Sequence, residues 1–152
     1  RTPLKIKSDV ELDERMDISF ISIGGLNNHK SVDILDNPTN SFITFDPNNG
    51  NIISAISGNT IIQAQSSIDF GIILKINPSH NPSRTWLCCA GIGEWGTSGV
   101  AWWLSKNWKK ISKQAKKRPF AIITQTRVGS DDSTERLHFL LSEEDVENVT
   151  QP

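Results

Sequence analysis

Apolar positions along this chain fall mostly into short continuous or alternating runs, interrupted once by a long stretch of helical period. Ile18 to Ile23 (ISFISI), Phe70 to Ile76 (FGIILKI), Phe120 to Val128 (FAIITQTRV) and Glu135 to Leu141 (ERLHFLL) each read as strands, as does the apolar run that ends at Gly91. Ser41 to Phe45 and Asn51 to Ile56 flank Asp46-Pro47-Asn48-Asn49-Gly50, a turn sequence that makes them a hairpin, and Ser57-Gly58-Asn59 turns the chain into Thr60 to Ala64. The helical stretch follows Gly91. Val100, Leu104, Trp108, Ile111 and Ala115 recur at spacings of three and four, and Lys109, Lys110, Lys113, Lys116 and Lys117 take the remaining positions until Pro119 ends the helix. Lys30 to Leu35 predicts one or two further helical turns, stopped by Asn37-Pro38.

This order predicts an α/β fold: a Rossmann-like, flavodoxin-like sandwich with a mixed sheet and a β-hairpin/meander insertion, parallel where the long helix supplies the crossover. Residues 1–17 read as a linker or the end of an upstream element, 18–141 as a single α/β domain, and 142–152 as a frayed acidic tail.

The densest signal is RTWLCCAGIGEWGTSGVAWWL, residues 84–104, where a strand breaks into Gly91-x-Gly93-x-x-Gly96-Thr97-Ser98 and then a helix. A strand leading through small residues into a helix N-terminus leaves backbone N–H groups and the positive dipole end facing one spot, a setting that binds phosphate or carboxylate. The first strand ends comparably in Gly24-Gly25-Leu26-Asn27-Asn28, and the two loops are expected to converge. A dinucleotide fingerprint would carry an acid about 20 positions on, at the end of the next strand; that strand ends in Gln125-Thr126-Arg127. No P-loop lysine follows either, so no nicotinamide or flavin cofactor is called for.

Candidate ligand-binding residues are therefore Gly24, Gly25, Asn27, Asn28, Gly91, Gly93, Trp95, Gly96, Thr97 and Ser98, each with a structural alternative. The glycines equally suit a tight turn packed against a helix, Trp95 a stacking platform or a lid on the core, and Asn27 and Asn28 a ligand contact or a helix cap. Glu94, at the loop tip, is the candidate catalytic residue, as hydroxyl acceptor or general base. Arg84, after two Asn-Pro steps, reads as a clamp on loop carbonyls or an anion ligand. Trp102, Trp103 and Trp108 read as core or subunit contacts, His80 as a loop residue, and His138 as an exposed strand position.

Composition narrows the function classes. A net charge of −1 over 152 residues argues against general nucleic-acid or membrane-surface binding, and the basic run of the long helix reads as a solvated face. No apolar stretch approaches the roughly 20 residues of a membrane span and no signal peptide is seen, which predicts a cytoplasmic protein. Cys88 and Cys89 are the only cysteines; as neighbours in a strand they face opposite ways and read as buried thiols, with no metal site.

The segments ISFISIGGLNN and FGIILKINPSHNPSRTWLCCAGIGEWGTSGVAWWL resemble a prokaryotic family of poorly characterised Rossmann-like or flavodoxin-like domains with GG-x-x-N, NP-x-x-NP-x-R and G-x-x-x-x-GT motifs, found beside DNA-binding or signalling modules. The residues that carry the resemblance include Gly24, Gly25, Asn28, Asn77, Pro78, Asn81, Pro82, Arg84, Gly91, Gly96 and Thr97. The glycine loops predict a small-ligand-binding sensory or regulatory domain that takes a nucleotide or phosphorylated metabolite, and the resemblance implies a prokaryotic signalling or defence system as its setting, with a homo-oligomer or a fused signalling domain as partner. Two other classes stand beside it. One is a nucleotide-processing enzyme using Glu94; the other is a structural module docking another chain through its Trp-rich helix.

Overall fold

The structure, a computed structural model, describes residues 5–12 and 17–150. A 3-10 turn at Val10–Leu12 precedes strand β1 (Phe20–Ile23) and helix α1 (His29–Leu35). A meander follows: β2 (Ile43–Phe45), β3 (Ile52–Ser54) and β4 (Thr60–Ile62). The long elements are β5 (Ile68–Ile76), β6 (Trp86–Gly91), α2 (Glu94–Ala115), β7 (Phe120–Arg127) and β8 (Ser130–Leu140), and α3 (Glu143–Thr150) closes the described chain. Of the segment 1–17 expected as a linker or the end of an upstream element, residues 5–12 and Asp17 are described; 13–16, like 1–4 and 151–152, lie outside the described residues.

Two sheets form, one with the order β1-β6-β5-β7-β8 and a smaller antiparallel one with the order β2-β3-β4. This corrects the expected Rossmann-like, flavodoxin-like sandwich. Within the large sheet β1 and β6 are the one pair of neighbours that run parallel; β5 is antiparallel to both β6 and β7, and β7 to β8. The long helix does connect two parallel strands, β6 and β7, but β5 lies between them. Strand β5 can take that slot because its residues from Phe70 to Ile76 are buried on both faces, the apolar ones shared between the two core layers.

Side-chain alternation sorts the core into two layers. Ile72, Leu74, Trp86, Cys88, Ala121 and Ile123 face α1, the small sheet and α3, joined there by Ile34, Phe42, Ile43 and Ile52. Ile73, Leu87, Cys89, Phe120 and Ile122 face α2, meeting Val100, Ile111 and Ala115. The adjacent cysteines thus belong to opposite layers, as period two requires.

Three local expectations change. The buried stripe of α2 runs through Gly96, Gly99, Val100, Ile111 and Ala115, and Trp108 lies outside it at 46 % exposure. Strand β8 begins at Ser130, inside the expected turn, because the hairpin reverses tightly at Val128-Gly129. The acidic tail is helix α3: Asp145 accepts the amides of Leu141 and Ser142 at 2.7 and 3.0 Å, and Val146 is buried against the core.

Candidate functional site

The parallel strands β1 and β6 end side by side at one edge of the sheet, and the chain leaves them toward opposite faces. After β1 the chain enters α1 on one face of the sheet; after β6 it enters α2 on the other. A crevice opens where the two connections part. The amide of Gly24 donates to the carbonyl of Cys89 at 3.0 Å and holds the loops side by side. The resulting cleft has a volume of about 640 Å³ and is lined by Ile23, Gly25, Leu26, Asn27, Gly91, Ile92, Gly93, Glu94, Thr97 and Ser98, with Pro47 and Gly50 from the β2–β3 turn. The two glycine loops therefore converge, and the hairpin contributes a wall that nothing in the sequence placed there.

The glycines of the cleft serve close approach between parts of the chain itself. A Cβ on Gly25 would stand 2.2 Å from the carbonyl oxygen of Gly91. One on Gly96 would stand 2.4 Å from the carbonyl oxygen of Phe70. Both lie far inside van der Waals contact with backbone atoms that cannot swing away. Thr97 also acts within the loop, its hydroxyl accepting the Gly91 amide and donating to the Gly93 carbonyl, each at 3.1 Å.

The start of α2 is already occupied by an anion from the chain. Asp69, the second residue of β5, accepts the Gly96 amide on Oδ2 at 2.7 Å and the Gly93 amide on Oδ1 at 3.3 Å. Two of the amides expected to face a phosphate face this carboxylate, and its charge offsets the positive end of the helix dipole. Sequence reasoning passed over Asp69. The signal was an acid on the same face as Gly71, at the mouth of a buried strand.

The other candidates divide. Glu94 and Asn27 are exposed on the cleft rim, and Glu94 is the only carboxylate among the described residues lining it. Ser98 lines the cleft while donating to Asp131 at 2.6 Å. Asn28 caps α1: its Oδ1 accepts the Ser31 amide at 3.1 Å and the Ser22 hydroxyl at 3.0 Å. Trp95 is half-buried and does not line the cleft, so the stacking platform is not formed there. Arg84 lies beyond the amino end of β6, a strand's length from the cleft, and the backbone closes the preceding loop: the Arg84 carbonyl accepts from Asn77 at 2.7 Å and its amide donates to Asn81 at 3.0 Å. His80 is exposed and packs against the ring of Trp86, centroids 5.3 Å apart and planes tilted by 58°, outside the cleft.

Burial governs the buried titratable groups elsewhere. It raises the Cys88 thiol far above its ordinary range and pushes Cys89 up to about 12, while it lowers Lys75 and His138. No cluster of three or more metal-ligating side chains occurs among the described residues, and none of their helices is long and apolar enough to cross a membrane. No protein-family model matches the chain, and neither does any curated protein or solved structure.

Proposed function

We propose that this chain is a small-ligand-binding regulatory domain whose ligand occupies the cleft between β1 and β6. The observation that carries this reading is the convergence of both glycine loops on one concavity of about 640 Å³, within the usual size of small-molecule sites. Ile23, Leu26 and Ile92 are 59, 37 and 45 % exposed and supply an apolar floor for a flat ring; Asn27, Glu94 and Ser98 supply hydrogen-bonding groups at its rim. Because Asp69 already fills the α2 amides and Glu94 adds a second carboxylate, a neutral or hydroxyl-bearing ligand fits better than a phosphate. A nucleoside is the ligand class favoured over the nucleotide expected from the glycine pattern alone.

The test is a thermal-shift panel of nucleosides and their mono- and triphosphates. A nucleoside at 100-fold its Kd adds about 2.7 kcal/mol, a rise of roughly 5–10 °C for a domain of this size. Asn27→Ala and Ile92→Asp should remove the shift while leaving the unliganded melting temperature within about 2 °C. A panel without any shift rejects the reading. Glu94 on the rim keeps an enzyme as the second reading. If chromatography shows a nucleoside or nucleotide cleaved, and Glu94→Gln slows cleavage by about 10²-fold, the enzyme replaces the sensor.

A further inference from the structure

Helix α2 carries a second surface away from the cleft. Its inner stripe is committed to the sheet through Gly96, Val100, Ile111 and Ala115. On the outer side Trp102 and Trp108 remain 37 and 46 % exposed, and Lys106, Lys109 and Lys113 are exposed around them. At 3.6 residues per turn the two indoles stand about 120° apart around the axis, and they bracket Ser105, Lys109 and Ser112. Lys106, Lys109 and Lys113 fall within about 60° of one another around Trp102, and Trp108 stands beyond Ser105 and Ser112 on the flank of this face.

Among the described residues the charge on this face has no ion-pair partner. No acidic residue follows Glu94 in the helix. The helix dipole favours cations in its last turn only, which accounts for Lys113 but not for Lys106 or Lys109. Lys106 Nζ lies 6.0 Å from the centroid of the Trp102 ring, so that indole is held beside a cation.

We propose that the outer face of α2 docks an acidic polypeptide segment, its carboxylates on Lys106, Lys109 and Lys113 and its apolar side chains against Trp102 and Trp108. Trp is the residue type most enriched where few contacts carry an interface, and charge complementarity supplies steering and register. Two observations favour a polypeptide over other anions. Lys106 Nζ lies over the Trp102 ring, so a base would have to displace that lysine to stack flat, whereas an aliphatic side chain packs on the exposed ring edge beside it. The whole chain carries −1, so acids elsewhere outweigh these cations; they repel a broad anionic surface such as a membrane more than a narrow segment lying along the helix. The docking does not depend on what fills the cleft.

The experiment uses the full chain and a fluorescein-labelled peptide of about 18 residues repeating Glu-Glu-Leu, long enough to follow α2, read by fluorescence anisotropy. Its comparison probes are a Glu-Glu-Ser peptide of equal length, an oligo-dT of about 20 nucleotides, and phosphatidylcholine/phosphatidylserine vesicles. The expected result is that the Glu-Glu-Leu peptide binds most tightly. Its affinity should fall about tenfold or more between roughly 50 and 300 mM salt, and likewise in Lys106→Glu/Lys109→Glu/Lys113→Glu. Trp108→Ala, whose fold is checked by circular dichroism, should weaken the Glu-Glu-Leu peptide about fivefold or more and leave Glu-Glu-Ser unchanged. The proposal is overturned if the triple variant binds like wild type, if the two peptides bind equally, or if oligo-dT or vesicles bind more tightly through the same lysines.

Discussion

Asp69 and Lys75 lie on the same face of β5 and hold opposite ends of α2. Asp69 takes the amides of Gly93 and Gly96 at the helix start, while Lys75 Nζ donates to the carbonyls of Lys117 and Arg118 just past its end, at 2.9 and 3.1 Å. Anion at the amino end and cation at the carboxyl end is the arrangement the helix dipole favours. Between them Gly71 and Ile73 face α2, and Gly71 lets the first turn settle within contact of the strand. One strand thus sets the position of the helix that forms half the cleft.

Removing the carboxylate tests this clamp. Asp69→Ala should lower stability by about 2 kcal/mol, the usual loss for charge-assisted bonds to backbone amides. It should also open an anion site. The variant is expected to gain thermal stability with added inorganic phosphate or sulfate where the wild type gains none. A wild type that responds to phosphate as strongly as the variant would show that Asp69 does not fill the site.

The loop glycines should prove structural. Gly96→Ala and Gly25→Ala force a Cβ against backbone carbonyls and are expected to destabilise the fold by more than about 2 kcal/mol, read as lost soluble yield or a lowered urea midpoint. At Gly58, where φ is +72° and an added Cβ meets nothing within 4 Å, Gly58→Asn should stay within about 1 kcal/mol of wild type. A well-folded Gly96→Ala that loses only nucleoside binding would reverse the assignment.

The buried thiols set an alkaline limit. Both cysteines titrate in the unfolded chain near 9.0, whereas burial holds Cys89 up to about 12 in the fold and Cys88 higher still. Above pH 9 the unfolded chain therefore sheds protons that the folded chain keeps. Stability is complete below pH 9 and falls as pH rises toward the folded values, by up to about 1.4 kcal/mol per pH unit for each thiol. Urea midpoints between pH 8 and 10.5 should drop more steeply for wild type than for Cys88→Ala/Cys89→Ala, whatever the cavities cost at pH 8. Equal slopes would show that the thiols ionise without unfolding.

The amino-acid sequence by itself determined where most of the strands and the long helix form, because alternation and the three-four spacing are local, whereas α3 forms only as Val146 packs on the core. β5, β7 and the body of α2 follow from FGIILKI, FAIITQTRV and the Val100–Ile111–Ala115 stripe, and Asp46 to Gly50 makes its hairpin. That both glycine loops sit at strand ends was equally legible. Strand order was not. A strand buried on both faces is equally satisfied beside either neighbour, so only the packed sheet decided that β5 separates β6 from β7 and that the parallel pair is β1/β6. The anion at the helix start was likewise a tertiary matter, since Asp69 reaches Gly96 across 27 residues. The same glycine pattern, read alone, describes a loop open to phosphate or one closed on a carboxylate, and the difference lies in which strand passes beneath it.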